Sequence, residues 1–285
     1  MKIEEYREII KTIKQYQGLP KDCSKMLITK YNRFHPFTLK SILNQEIQWR
    51  TKINHRQVYK NENNNFYQRY FQAFQKGEPP GILLRMACKL KTCPALLANK
   101  VLKEYYLSSE NDLKVTKNDL QKMMKDTTLI SHASLAYEVY LCVLYDNQYG
   151  AIANSVSDCT GQEYEIKLEH YLIEHKIPFL NEELLRTKGY DKTPDCKLEI
   201  PIAINDFVIN WIESKAQFGT PETHKSYVKG QFLSYWNRFG PGLVIYWFGY
   251  VDNIVQSKES RFIVMDHFPE KITYMDPYSI ISSVK

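Results

Sequence analysis

The sequence predicts an α/β C-terminal domain, a central mixed sheet flanked by helices, behind an all-α, helix-turn-helix-like N-terminal region. Three observations carry this reading. Residues 1–150 read almost entirely as helix, with apolar side chains recurring at three and four from Tyr6, Ile9, Ile10 and Ile13 onward. Between Cys196 and Trp211 two strand-like runs meet at a turn, Asn205-Asp206. Leu243-Val244-Ile245-Tyr246-Trp247-Phe248 is an almost wholly apolar run, as expected of a strand covered on both faces. The change of pattern divides the chain into 1–150 and 151–285.

The N-terminal elements follow in order. Tyr6, Ile9, Ile10 and Ile13 mark a helix ending near Gly18-Leu19-Pro20. Ser24 is read as the cap of a helix through Tyr31, and Arg33-Phe34-His35-Pro36 as a turn. Thr38 then opens a helix carrying Leu39, Ile42, Leu43 and Ile47, with Lys40, Arg50 and Lys52 as its basic residues. The pattern recurs as Gly81–Leu90, a turn at Lys91-Thr92-Cys93-Pro94, and Ala95–Tyr106, which gives two helix-turn-helix-like units. Asn61–Asn65 is a polar tract and Gly77-Glu78-Pro79-Pro80 a break. Ser131–Tyr145 is amphipathic, burying Leu135, Val139, Cys142 and Val143, and 146–161 is read as a linker that is helical in part.

From Gly161 the pattern changes. Gln162–Lys176 is helical, Ile177–Leu180 a short apolar segment, and Asn181–Lys188 a helical turn stopped by Gly189. Strands follow at about Asp195–Ile204 and Phe207–Ala216, then a helix over Thr223–Arg238 closed by Gly240-Pro241-Gly242. The apolar strand comes next, and a last strand at Arg261–Asp266.

Composition limits the function classes. With 285 residues, 44% apolar and 13% aromatic, the chain is a folded protein with a substantial core. No stretch reaches the ~18 consecutive apolar residues of a membrane span, and Met1-Lys2-Ile3-Glu4-Glu5 opens no hydrophobic signal region. The expectation is a soluble intracellular protein. The six cysteines are scattered without CxxC pairs, so they read as reduced core thiols and not as zinc ligands. Residues 1–150 hold 24 Lys and Arg against 14 Asp and Glu, whereas 151–285 hold 14 against 18. A basic half joined to an acidic half suits a nucleic-acid-binding module attached to a metal-dependent catalytic module; a solvated basic face on a helical domain accounts for it equally.

The acidic half contains the chemistry. Asp195 ends Thr193-Pro194-Asp195, and Glu213-Ser214-Lys215 follows on the neighbouring strand. Two carboxylates there supply oxygens to a hard cation, Mg²⁺ or Mn²⁺, and an adjacent ammonium positions water or offsets developing charge. Glu213 and Lys215 share one strand face. A regular hairpin with a two-residue turn would set Asp195 opposite Ala216, on the wrong face. The site therefore predicts an odd-length irregularity in the first strand, with Pro201 as the natural place for it. Each residue also has an ordinary explanation, as a turn aspartate or a surface ion pair. The hydrophobic Trp211-Ile212 before Glu213 argues against a surface edge strand.

This arrangement resembles the PD-(D/E)xK nuclease superfamily. The resemblance implies metal binding by Asp195, Glu213, the Ser214 carbonyl and a glutamate on the preceding helix. Glu163, Glu165 and Glu169 compete for that place, and Glu165, one and two turns before Leu168 and Leu172, is chosen. Gln231-x-x-x-Tyr235 matches a supporting pair on the helix after the second strand, with Gln231 binding substrate or steadying water; as an alternative, Tyr235 and Trp236 are core aromatics. Lys215 would orient or deprotonate the water.

The runs Gly189-Tyr190-Asp191-Lys192-Thr193-Pro194-Asp195, Trp211-Ile212-Glu213-Ser214-Lys215-Ala216 and Tyr235-Trp236-Asn237-Arg238-Phe239-Gly240-Pro241-Gly242 into Leu243–Trp247 are similar to the codanin-interacting nuclease family. That resemblance is strong over about 160–250 and looser before it. It implies a partner of the C-terminal part of codanin, a nuclear and cytoplasmic location, links to chromatin assembly and erythroid development, and nucleic acid as substrate, DNA before RNA. A catalytically silent scaffold that stabilises codanin is the alternative, and a helix-turn-helix transcription factor a weaker third reading.

Overall fold

The computed structural model describes residues 1–59, 65–108, 115–255 and 261–276. It separates into two compact units, residues 9–158 and residues 1–8 with 159–285.

The first unit is helical: α1 (Ile3–Gln15), α2 (Pro20–Lys30), α3 (Pro36–Tyr59), α4 (Phe66–Gln75), α5 (Ile82–Leu90), α6 (Pro94–Ser108), α7 (Lys117–Lys125) and α8 (Ala133–Tyr145), with α1 beginning in the other unit. The periodic positions are buried as the sequence indicates: Ile9, Ile13, Leu39, Ile42, Leu43 and Ile47, and Leu135, Val139, Cys142 and Val143. Both anticipated helix pairs, α2 with α3 and α5 with α6, are present. Ser24 does not cap a helix. It lies inside α2, which starts at Pro20, a residue pre-set for a first helical turn. Helices α4 and α7 were not anticipated; both are short, and α4 buries only Phe66 and Tyr70. Most of the polar tract Asn61–Asn65 lies outside the described residues; Asn65 caps α4, its side chain accepting from the Gln68 N–H. Cys88 and Cys159 are exposed, so the thiols are not all core residues.

Two buried carboxylates in this unit are structural. Glu138 on α8 accepts the N–H groups of Gly81 (2.7 Å) and Leu83 (2.9 Å) at the start of α5. Asp146 accepts from Ala95 in the first turn of α6 and from Gln148, Tyr149 and Gly150. Each places negative charge where unpaired helix donors gather. Glu138→Ala should therefore destabilise the protein by about 2–4 kcal/mol, read as a lower urea midpoint, because two buried donors lose their acceptor.

The second unit holds the sheet. Helix α9 (Ala151–Glu174) begins in the helical unit and continues into this one, so the expected linker is helical from Ala151 onward. After it come β1 (Phe179–Asn181), α10 (Glu182–Thr187), β2 (Cys196–Ile204), β3 (Phe207–Lys215), α11 (Pro221–Tyr227), a π-helical turn (Val228–Phe232), α12 (Leu233–Phe239), β4 (Gly242–Tyr246), β5 (Phe262–Met265) and β6 (Thr273–Tyr274). Strand order is β1-β2-β3-β4-β5, with β6 also on β2. The pairs β1–β2, β2–β3 and β2–β6 are antiparallel, while β3–β4 and β4–β5 are parallel. The sheet is thus mixed, as predicted.

One core face joins Leu168 and Leu172 of α9 to Ile209, Ile212, Leu243 and Ile245. The other joins Trp211, Val244 and Tyr246 to Phe232 and Tyr235. Strand β4, buried on both faces, needs the continuous apolar run its sequence shows, although it ends at Tyr246 and releases Trp247 and Phe248. Gly242 is required where the Trp211 indole crosses β4, since a Cβ there would lie 2.1 Å from the ring. Trp236 is 40% exposed and is not a core residue; the core position belongs to Tyr235. Among the described residues no helix is long and apolar enough to cross a membrane.

Candidate active site

The hairpin β2–β3 builds the site through an irregularity. Next to the Asn205-Asp206 turn, Ile204 pairs with Phe207 and Ile202 with Ile209. Farther along, Lys197 pairs with Trp211 and Cys196 with Ile212. Residues 198–201 thus lie opposite Asn210 alone, an odd insertion that includes Pro201, where the sequence predicted one. Continued by one residue, this register sets Asp195 beside Glu213, on the face that Lys215 shares. The Ser214 N–H donates to Asp195 Oδ2 at 2.7 Å, fixing the aspartate against the end of β3.

Glu213 is 2% exposed. Its Oε1 accepts from Lys215 Nζ at 2.5 Å. Its Oε2 is buried with no hydrogen-bond partner among the described residues. A carboxylate oxygen in that condition is costly, and such oxygens are normally paired or bound to a cation. The Lys215 ammonium also lies 4.8 Å from the Tyr227 ring centroid.

The electrostatics are those of crowded, desolvated acids. Burial, then the neighbouring Glu213 charge, push the Asp195 carboxyl well above the ordinary carboxylate range, against the pull of Lys215 and the Ser214 N–H. Burial also raises Glu213, opposed first by Lys215. For Lys215 burial works against the charge, but Glu213 and Asp195 outweigh it and the ammonium is held more firmly than usual. Tyr235 is raised first by burial, then by the Glu213 and Asp195 charges.

The other expected residues stand farther out. Glu165 on α9 is exposed as a residue; partial desolvation of its carboxyl, then Glu182, raise it and Lys215 lowers it, and no hydrogen bond joins it to Asp195, Glu213 or Lys215 among the described residues. Gln231 lies in the π-helical turn, and its Oε1 is buried without a partner among the described residues. Interruptions of this kind concentrate at functional sites. Tyr235 packs edge-on against Trp211, with centroids 5.3 Å apart.

Several contributors escaped the sequence reading. Glu182 Oε1 accepts from Thr193 Oγ1 (3.1 Å) and Arg186 (2.7 Å), tying α10 to the Thr193-Pro194-Asp195 loop. Arg238 on α12 donates to the Lys192 carbonyl at 2.8 Å and pairs with Asp191, while Lys192 Nζ reaches the Gly230 carbonyl at 3.0 Å. The Trp247 indole N–H donates to Ser214 Oγ at 2.8 Å. An acid in a first helical turn, such as Glu182, is indistinguishable in sequence from one placed there for the helix dipole. Trp247 is hidden inside an apolar run.

Among the described residues no three His, Cys, Asp or Glu side chains converge as a complete metal cage. The donor set fits a hard cation that keeps several waters: two carboxylates, one with a bare buried oxygen. The Ser214 N–H and Oγ are committed to Asp195 and Trp247, which leaves its carbonyl as the group it could offer.

A family model described as "Protein of unknown function TPD sequence-motif" matches residues 131–268, a span that includes Thr193-Pro194-Asp195 and Glu213-Ser214-Lys215. Similar proteins named CDAN1-interacting nuclease 1 occur in Xenopus laevis (40% identity, covering 90% of this chain and 84% of that protein) and in Homo sapiens (38%, covering 82% and 84%). The chain belongs to the CDAN1-interacting nuclease 1 family. The member from Danio rerio is 37% identical over 94% of this chain and 89% of its own length, so the likeness includes the helical unit. No solved structure matches the chain.

Proposed function

We propose that this member of the family is a metal-dependent phosphodiesterase acting on nucleic acid, with a PD-(D/E)xK core in its sheet unit. The observation that carries the reading is the bare, buried Glu213 Oε2 beside Asp195 and the Lys215 ammonium at one end of β3. Asp195 and Glu213, with the Ser214 carbonyl, would hold Mg²⁺ or Mn²⁺, and Glu165 of α9 is the further carboxylate that the superfamily resemblance implies. When bound, the ion supplies Lewis acidity and a water of lowered pKa.

The chain's own residues do the rest. The Ser214 N–H keeps Asp195 in one orientation. The Lys215 ammonium, favoured by Glu213 and Asp195, would orient water and offset charge gathering on the phosphate. The reaction adds water across one P–O bond: the water oxygen bonds to phosphorus, and the leaving oxygen departs with a proton. Lys215→Ala should lower cleavage of labelled DNA and RNA oligonucleotides by about 10²–10³ while Mg²⁺ binding persists. Unchanged cleavage would remove Lys215 from the chemistry.

The relatives' shared name also includes an interaction with CDAN1. We read this chain as a partner of its own codanin counterpart. Loss of the three site residues with codanin binding intact, tested by co-purification, would separate that role from catalysis.

A further inference from the structure

A column of rings runs along α9 beside the site. Phe268 stacks on Tyr171 (5.0 Å, 5°), Tyr171 lies nearly parallel to Trp247 (6.3 Å, 15°), and Tyr164 follows Trp247 at 5.4 Å. The inner end is packing, since Phe268 is buried in the core that joins α9 to the sheet. At the outer end Tyr164 and Trp247 remain partly accessible, and exposed Lys167 holds its ammonium over them. Nζ lies 4.9 Å from the Trp247 centroid, 5.3 Å from Tyr164 and 5.9 Å from Tyr171. Among the described residues Lys167 has no carboxylate partner, although α9 carries several acids. Helical spacing makes this a stripe: Tyr164, Lys167 and Tyr171 share a side of α9, next to the side of Leu168 and Leu172.

The column is coupled to the carboxylates by two bonds. Trp247 Nε1 donates to Ser214 Oγ (2.8 Å), and the Ser214 N–H holds Asp195 (2.7 Å). In sequence, Tyr164 and Lys167 flank Glu165, whose carboxyl, raised by burial, is lowered by the Lys215 charge. Partly exposed rings, capped by a cation that has no carboxylate partner among the described residues, match the two parts of a nucleotide, base and phosphate. A base inside a duplex has both faces covered by its neighbours, so only an unpaired base can use such a surface.

We propose that Tyr164, Trp247 and Lys167 form a nucleotide-stacking platform, and that the substrate presented to the carboxylates is single-stranded nucleic acid. A base lies on the Tyr164–Trp247 rings and Lys167 leaves them for the adjoining phosphate. This rests on the phosphodiesterase reading and names its substrate class.

The test measures binding by fluorescence anisotropy with Mg²⁺ present, in the whole chain carrying Asp195→Asn, where cleavage is too slow to compete. The probes are labelled oligothymidylate and oligouridylate of about 12 nucleotides, a duplex of equal length, and a strand of equal length made abasic. Single strands should bind at least about tenfold tighter than the duplex, and Tyr164→Ala should remove about tenfold of single-strand affinity while leaving the duplex unchanged. The abasic strand should lose the same factor on the parent protein and nothing further on Tyr164→Ala. Lys167→Ala, an exposed change that does not threaten folding, should reduce the salt slope of single-strand binding by about one. The two homopolymers distinguish deoxyribose from ribose. Equal or tighter duplex binding, no binding at all, or an abasic strand bound as well as the others would overturn the platform. Wild-type cleavage of duplex alone would sink the platform and keep the catalysis. Single-strand binding through Tyr164 without wild-type cleavage would do the reverse.

Discussion

Asp195→Asn should slow phosphodiester cleavage by about a thousandfold or more, the scale of losing several kcal/mol of charge stabilisation in a site of this kind. Asparagine keeps the shape of the side chain and an oxygen for the Ser214 N–H, which now holds Asp195 Oδ2 at 2.7 Å. What it removes is one of two adjacent negative charges. The change therefore tests charge and not architecture. Single-turnover cleavage with Mg²⁺, beside a circular dichroism spectrum of the variant, separates loss of chemistry from loss of fold.

The same substitution should make the metal-free protein more stable, by about 0.5–2 kcal/mol at neutral pH. Asp195 is raised well above the carboxylate range and Glu213 is raised too, in each case first by burial. For an acid whose folded pKa exceeds its unfolded one, the contribution to stability is fully present below the unfolded pKa and is lost as pH rises through the folded one. Wild type without metal should thus gain thermal stability as pH falls from neutral toward the ordinary carboxylate range, and Asp195→Asn should show a weaker dependence. Mg²⁺ should raise the wild-type midpoint at neutral pH and leave the variant nearly unmoved. Parallel melting curves for the two proteins across that range would contradict the account. A site that costs stability when empty is built for a ligand.

Much of this was legible in the residues. The requirement that Asp195 share a face with Lys215 implied an odd insertion near Pro201, and the register shows one between Lys197 and Ile202. The turn at Asn205-Asp206 with hydrophobic Trp211-Ile212 after it, and the apolar run of β4, located two central strands because burial on a pleated sheet leaves few other choices. The remainder lacked a local signal. The π-helical turn that holds Gln231 widens the helix by one residue within Val228–Phe232, and apolar spacing at three and four does not display it. Trp247 has the composition of a strand interior, yet β4 ends one residue earlier and its indole turns to Ser214. Trp236 looked like a core aromatic, but one helical step from Tyr235 points it outward. Short α4 and α7 bury little, and their caps, Asn65 and the Thr116–Asp119 capping box, were the local signals available.

The most direct measurement is a calorimetric titration of Mg²⁺, and separately Mn²⁺, into wild type, Asp195→Asn and Glu213→Gln at neutral pH. The account predicts binding in wild type that is accompanied by proton release, tightens as pH rises, and disappears in both variants. A folded wild type that takes up neither ion, or binding that survives both substitutions, would contradict it.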